Sequence, residues 1–359
     1  MKILVLPGDG IGPEVCHEAV ETLKVLAGPL QLTLELEEDH AGGAAIDADG
    51  DPMPARVLAK AKAADAVLLG AVGGAKWDHH TGAMRPESGL LKIRKELGVF
   101  ANLRPVAVSE ALADASPLRP EAIAGTDMLV VRELTGGIYF GEPRGRVGTP
   151  GEETAFNTMK YTTAEIERVA RVAFTWARRR SGRVCSVDKA NVLVVSQLWR
   201  EVVQQVQRAE FPDVELTHMY VDNAAMQLVV RPSQFDVILT GNLFGDILSD
   251  AAATLGGSLG LLPSASVGGP VGLFEPVHGS APDIAGKGIA NPVAMLLSTA
   301  MMLDELDQPR AAAAIRHGVD TALQEGLRTA DLHRAGKTTL VSTRELADRV
   351  RSAALASLA

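Results

Sequence analysis

Ile3-Leu4-Val5-Leu6 is apolar at every position and runs straight into Pro7-Gly8. So short a run without a polar side reads as a strand buried on both faces, and such a strand needs a sheet covered by helices. The pattern recurs along the chain. Lys2–Leu6, Gln31–Glu37 and Ala66–Leu69 read as strands, and helical spacing over Pro13–Ala27 and Pro54–Ala64 separates them. Strands alternating with helices predict an α/β fold with a mixed, largely parallel central sheet. Farther on, Leu103–Val108, Asp127–Arg132, Gly137–Gly141, Val184–Asp188, Leu216–Val221 and Val237–Thr240 read as strands. Thr163–Arg179 and Val192–Arg208 read as helices, Gly256–Gly272 as a loop, and Pro292–Asp307, Arg310–Glu325 and Thr343–Leu358 as helices. At 359 residues, about two domains are expected. The change of character in the middle fits a domain inserted into another.

Composition excludes several classes. Lys and Arg number 35 against 44 Asp and Glu, a net charge of −9, so a general nucleic-acid footprint is absent. The run Arg178-Arg179-Arg180 ends a helical pattern and reads as a solvated last turn. Two distant cysteines, Cys16 and Cys185, build neither a disulfide framework nor a thiolate zinc site and fit a reducing cytoplasm. No apolar stretch reaches the 18 or so residues of a membrane span.

Several motifs fail on inspection. Gly8-Asp9-Gly10-Ile11-Gly12-Pro13 follows a strand and opens a helix, but Pro13 stands where the dinucleotide fingerprint needs its third glycine. The acids Glu37, Glu38 and Asp39 lie slightly past the expected distance. The reading is a tight turn with Pro13 starting the helix. Asp47–Asp51 resembles a calcium loop, yet Pro52 and Leu58 occupy its required Gly and Glu positions, leaving a solvated turn. His79-His80 reads as an exposed loop pair. Gly256-Gly257-Ser258-Leu259-Gly260 lacks the strand that a nucleophile elbow requires, and Gly336-Lys337-Thr338 lacks the first glycine of a P-loop.

Three constellations remain. In Gly241–Asp250, the carboxylates of Asp246 and Asp250 are four residues apart, on one helix face and about 6 Å apart along its axis. Asp222 holds the same place after another strand. Alone it reads as a helix cap, but three acids at strand ends suit Mg²⁺ or Mn²⁺. Arg94, Arg104 and Arg132 form a cationic set. Taken singly each reads as a structural or surface pair, although guanidinium forks also bind carboxylates. Lys189 and Tyr139 are potential proton-transfer groups beside a cation. Glu275–Gly286 is too rich in turn formers for a core element, and a nucleotide loop and a structural loop are equally good readings.

These segments, together with Leu6–Glu14, Arg85–Arg94, Asn102–Pro105, Arg132–Tyr139 and Asp188–Leu193, resemble the isocitrate/isopropylmalate family of β-decarboxylating dehydrogenases nearly end to end. The resemblance implies that family's two-domain, non-Rossmann fold. Residues 1–99 with 257–359 would form the first, cofactor-binding domain, and 100–256 a second domain making the dimer contacts. It implies oxidation and decarboxylation of (2R,3S)-3-isopropylmalate with NAD, the dehydrogenase step of leucine biosynthesis. It implies a cytoplasmic homodimer with shared active sites and no nucleic-acid or membrane partner. Arg94, Arg104 and Arg132 would clamp the malate carboxylates. Tyr139 would donate a proton, and Lys189 of the partner subunit would act as base. Asp246, Asp250 and Asp222 of the partner subunit would hold Mg²⁺ or Mn²⁺, with Asp222 also touching substrate. Glu87, Leu90, Leu91 and Val192 would surround the isopropyl group. NAD would lie along His278, Gly279, Ser280, Ala281, Pro282, Asp283 and Ile284, with Asn291 nearby and Asp331 toward the adenosine. Isocitrate, homoisocitrate, tartrate and malate analogues are the alternative substrates.

Overall fold

A computed structural model describes residues 1–113 and 115–358. The chain divides into two compact units. One comprises Met1–Val99, Ser109–Ala115 and Gly256–Ala359, and the other Phe100–Val108 and Ser116–Leu255.

The first unit carries strands Glu35–Glu38, Lys2–Gly8, Ala66–Ala71, Gly272–Pro276 and Pro263–Val267, in that spatial order. The first four pair in parallel, and the last pair is antiparallel. Ile3–Leu6 and Ala66–Leu69 are at most 2% exposed, as strands covered on both faces must be. Helices Gly12–Leu30, Val293–Glu305, Pro309–Gln324 and Thr343–Ala356 supply much of the cover. The last begins with a reciprocal cap, Ser342 bonding the Glu345 amide while Glu345 reaches back.

The second unit repeats the plan. Strands run in the order Ala101–Ala107, Asp127–Glu133, Val237–Thr240, Arg183–Asp188 and Glu215–Tyr220. The first pair is antiparallel and the rest parallel. Helix Thr163–Arg178 starts with a Thr162–Glu165 capping box.

Several elements differ from the sequence reading. Gly137–Gly141 is not a strand. Gly137 has φ +74°, a left-handed conformation outside the extended range of a strand interior, and Gly137–Tyr139 is a 3-10 turn. The alternation over Gln31–Glu37 shortens to a strand over Glu35–Glu38, because Gln31 caps the preceding helix with φ 55°. Asp47–Asp51 is not simply a solvated turn: Gly43–Asp49 is a helix whose Asp47 and Asp49 pair with Lys76 and Arg56. The loop expected over Gly256–Gly272 contains the buried strand Pro263–Val267. The arginine run is not merely solvated either. Arg180 bridges the buried Asp236 and the exposed Asp127 at 2.9 Å each. No described helix is long and apolar enough to cross a membrane.

Candidate active site

Helix Asn242–Ala253 opens at the C-terminal end of the buried strand Val237–Thr240. Its spacing presents Asp246 and Asp250 to one arginine. Arg104 lies 2.8 Å from Asp250 and 3.7 Å from Asp246. Asn102 and Ser249 hold the same guanidinium, each at 2.7 Å. Arg132 is the penultimate residue of the neighbouring strand and pairs with Asp246. Its stem lies against the helix because position 245 is glycine: a Cβ there would stand 2.6 Å from Arg132 Cγ. Tyr139 Oη donates to Asp246 Oδ2 at 2.9 Å. Burial, and then the Asp246 carboxylate, raise the phenol pKa above its ordinary value, so Tyr139 keeps its proton at neutral pH.

A buried network behind this cluster escaped the sequence reading. Asn242 is fully buried. Its Oδ1 accepts from Arg132 Nε and Nη2 at 3.0 and 2.8 Å, and its Nδ2 donates to the carbonyls of Leu134 and Gly136, both at 3.1 Å. The Asn242 amide donates to Tyr161 Oη at 2.7 Å. Tyr161 fills the space where Gly136 and Gly137 would carry side chains. Glu133, also fully buried, accepts the Thr135 and Gly136 amides at 2.9 and 2.8 Å. The only signal in the sequence was two polar residues beside strand ends, and nothing there shows their partners.

Lys189 and Asp222 stand at the ends of two adjacent parallel strands and meet at 2.6 Å. The Lys189 hydrogen bond lowers the Asp222 pKa. Among the described residues of one chain, no three His, Cys, Asp or Glu are gathered as a metal site. Asp246 and Asp250 are the hard oxygen donors that a divalent cation takes, and within one chain Asp222 does not join them. Val192 is 66% exposed.

In the first unit, helix Pro86–Leu97 places Glu87, Leu90, Leu91 and Arg94 at positions i, i+3, i+4 and i+7, along one side. Ile93 and Leu97 are buried, whereas Leu90 is half-buried and Leu91 exposed. Neither leucine is therefore an ordinary core residue. Arg94 is buried and pairs with Glu275, and among the described residues its Nε has no partner. Glu275 and Pro276 close a strand rather than lying in a loop, so the turn-rich segment begins after them.

That segment holds the proposed cofactor residues. His278 Nδ1 sits 2.9 Å from Gly279 O, while its Nε2 is shut away from solvent with no partner among the described residues. Burial lowers the imidazole pKa. A neutral ring with one unused polar atom suits a nucleotide hydrogen bond. Ser280 is buried. Ala281 has a positive φ of 38°. Pro282 and Asp283 are exposed, and Ile284 is half-buried. Asp331 accepts from Asn291 Nδ2 at 3.0 Å and from Ser258 and Thr329. Asn291 Oδ1 in turn accepts the Val293 amide, 3.1 Å away.

The family model for isocitrate/isopropylmalate dehydrogenase matches residues 2–350. A Salinibacter ruber protein named 3-isopropylmalate dehydrogenase is 63% identical, over 91% of this chain and 88% of its own length. The protein of the same name from Oleidesulfovibrio alaskensis is 60% identical, over 94% of this chain and 95% of its own. Among solved structures, isocitrate dehydrogenase from Methylococcus capsulatus superposes with TM-score 0.86 at 35% identity, covering 98% of this chain and 99% of that one. A β-decarboxylating dehydrogenase from Thermococcus kodakarensis gives 0.80 at 34%, over 99% and 96%. Sequence and backbone agree along almost the whole chain, which therefore belongs to the isocitrate/isopropylmalate dehydrogenase family.

Proposed function

We propose that this chain catalyses the oxidative decarboxylation of (2R,3S)-3-isopropylmalate to 4-methyl-2-oxopentanoate and CO₂ with reduction of NAD, the dehydrogenase step of leucine biosynthesis. The observation that carries this reading is the convergence of Arg104, Arg132 and Tyr139 on the carboxylates of one helix face. It offers cations for an anionic substrate beside a phenol held protonated. The relatives named 3-isopropylmalate dehydrogenase support the choice of substrate.

Arg104 and Arg132 bind substrate carboxylates, and Arg94 joins them. Lys189 takes the proton of the C2 hydroxyl. Tyr139 gives a proton to the carbon that loses CO₂. Asp246, Asp250 and Asp222 of the partner subunit would hold Mg²⁺ or Mn²⁺, which when bound polarises the substrate's C2 oxygen. His278–Ile284, Asn291 and Asp331 would hold NAD, which when bound accepts the hydride from C2. Asp283 is exposed, and among the described residues its carboxylate has no hydrogen-bond or ion-pair partner. A carboxylate beside the ribose repels a 2′-phosphate, so NAD is preferred to NADP. Glu87, Leu90, Leu91 and Val192 line the C3 substituent. Isopropyl gains from the leucines what the carboxymethyl of isocitrate cannot.

Residues 1–99 and 257–359 form the cofactor-binding domain in this reading, and 100–256 the dimerisation domain. Met226, Val229 and Val230 on helix Val221–Val230 are each more than half exposed, as is Ile247 on helix Asn242–Ala253. Apolar side chains at this density support coverage by a second copy. Cys16 and Cys185 are buried free thiols, which suits a reducing cytoplasm.

Initial rates of NADH formation test the assignment with isopropylmalate, isocitrate and malate, each with NAD or NADP and with Mg²⁺ or EDTA. The expected result is highest kcat/KM for isopropylmalate with NAD and Mg²⁺. Greater efficiency with isocitrate, or with NADP, overturns the corresponding part.

A further inference from the structure

The turn Gly8–Gly12 fails as a dinucleotide fingerprint, yet it is joined to the segment proposed to hold NAD. The Ile11 amide donates to Ser280 O at 2.8 Å. A Cβ on Gly10 would stand 1.9 Å from that same oxygen, so only glycine permits the approach. One helical turn on, Glu14 reaches the far end of the segment. Its Oε1 accepts the Gly286 amide, and its Oε2 accepts the Gly288 amide at 3.1 Å. Both glycines are left-handed, with φ +73° and +63°. The Gly288 carbonyl is held in turn by the Thr343 amide at 2.9 Å.

The stretch Ala281–Ala285 is thus suspended between two anchors on one motif. The Ile11 amide fixes its beginning and the Glu14 carboxylate its end. Hydrogen bonds from backbone amides to a carboxylate are the strong kind. A carboxylate that spans two amides fixes the orientation of both peptide units, as a single bond would not. We infer that Glu14 is a positioning residue for the dinucleotide: it touches no cofactor atom itself, but by clamping the Gly286 and Gly288 amides it sets the conformation of the loop carrying Pro282, Asp283 and Ile284.

The inference rests on the reading that His278–Ile284 holds NAD, so the test separates the two. Full-length wild type, Glu14→Gln, Glu14→Ala and His278→Ala are compared in three measurements. These are equilibrium binding of NADH without substrate, hydrogen exchange over 281–290, and steady-state kinetics. Removal of the clamp in Glu14→Ala is expected to raise the NADH Kd and the KM for NAD roughly tenfold. Exchange at Gly286 and Gly288 should speed up, while kcat at saturating NAD and the KM for isopropylmalate change by less than about twofold. Glu14→Gln keeps one acceptor and should fall between, covering the case in which the alanine variant folds poorly. A merely structural Glu14 lowers the melting temperature but leaves the NADH Kd of the folded protein unchanged, and that result overturns the inference. If His278→Ala weakens NADH while neither Glu14 variant does, the loop reading survives and the role of Glu14 falls. An unchanged Kd in His278→Ala removes the placement of NAD and this inference with it.

Discussion

Leu90 shows how incomplete burial leaves a residue open to the specificity role proposed for it. On helix Pro86–Leu97, burial stabilises the fold at Ile93 and Leu97, while Leu90 and Leu91 stay open on the side that carries Arg94. A side chain that the core does not use is available to a substrate. Truncating Leu90 removes three carbons of apolar contact, about 2 kcal/mol at roughly 0.8 kcal/mol per CH₂. Leu90→Ala should therefore lower kcat/KM for isopropylmalate on the order of thirtyfold. Malate has no alkyl group at C3 and should lose much less. Equal losses on the two substrates would show that Leu90 acts on the fold rather than on specificity. The side chains proposed to carry the chemistry, Arg104, Arg132, Tyr139, Asp246 and Asp250, were legible in the sequence as candidates, but singly each read as structural, and it was the family resemblance of the segments around them that assigned their roles. Their supports were not legible. Asn242 and Glu275 act through partners 110 and 181 residues away, and no local spacing encodes such a pairing.

At the scale of elements, the apolar strands were legible because burial on both faces leaves an uninterrupted run. Turns were not. Gly137–Tyr139 has strand-like composition, but Tyr161 packs where side chains on Gly136 and Gly137 would stand. That is a tertiary demand for glycine, invisible in the segment itself. Asp39 shows the same limit. The sequence offers it as an acid at nearly the distance of a ribose-binding carboxylate. In the structure it ties the end of strand Glu35–Glu38 to helix Ala55–Ala63, with Arg56 at 2.9 Å and Lys60 at 2.8 Å. Burial opposes its ionisation, but the bonds from Lys60, the His40 amide and Arg56 outweigh this and hold its pKa at about 2. The unfolded value near 3.8 is higher, so the folded state gains stability above pH 4 and loses it as pH falls toward 2. With Lys60 and Arg56 partly solvated, the gain is on the order of 1–2 kcal/mol. Asp39→Asn should unfold at lower urea than wild type at pH 7, and the gap should narrow at pH 3. A gap independent of pH would assign the loss to packing instead.

For the whole molecule, the arrangement that decides the proposed mechanism is the metal site, which the described residues of one chain do not assemble. Asp246 and Asp250 offer two carboxylates to a cation, while Asp222 is bonded to Lys189. Among the described residues no third acid of the same chain completes a metal site. The sequence places the three acids in equivalent positions after their strands but contains no sign of which subunit supplies which. The pairing of Lys189 with Asp222 joins the proposed base and the proposed third metal ligand at the start of helix Val221–Val230, whose Met226, Val229 and Val230 are exposed. If a second copy covers that helix, each centre takes Asp246 and Asp250 from one chain and the Lys189–Asp222 pair from the other. Complementation then follows. Lys189→Ala and Asp246→Ala homodimers should each lose more than about 100-fold in kcat, the scale of a lost proton-transfer group or charge stabiliser. Mixed, unfolded and refolded together, half of the dimers should be heterodimers. In each heterodimer one centre carries both defects and the other neither, because the intact Asp246 and the intact Lys189 meet there. Activity should return to about one quarter of wild type in the mixture, half the dimers with half their centres working. Heterodimers confirmed by differential tagging that stay as inactive as the parents would place Lys189 and Asp246 in the same chain's centre and remove the shared site.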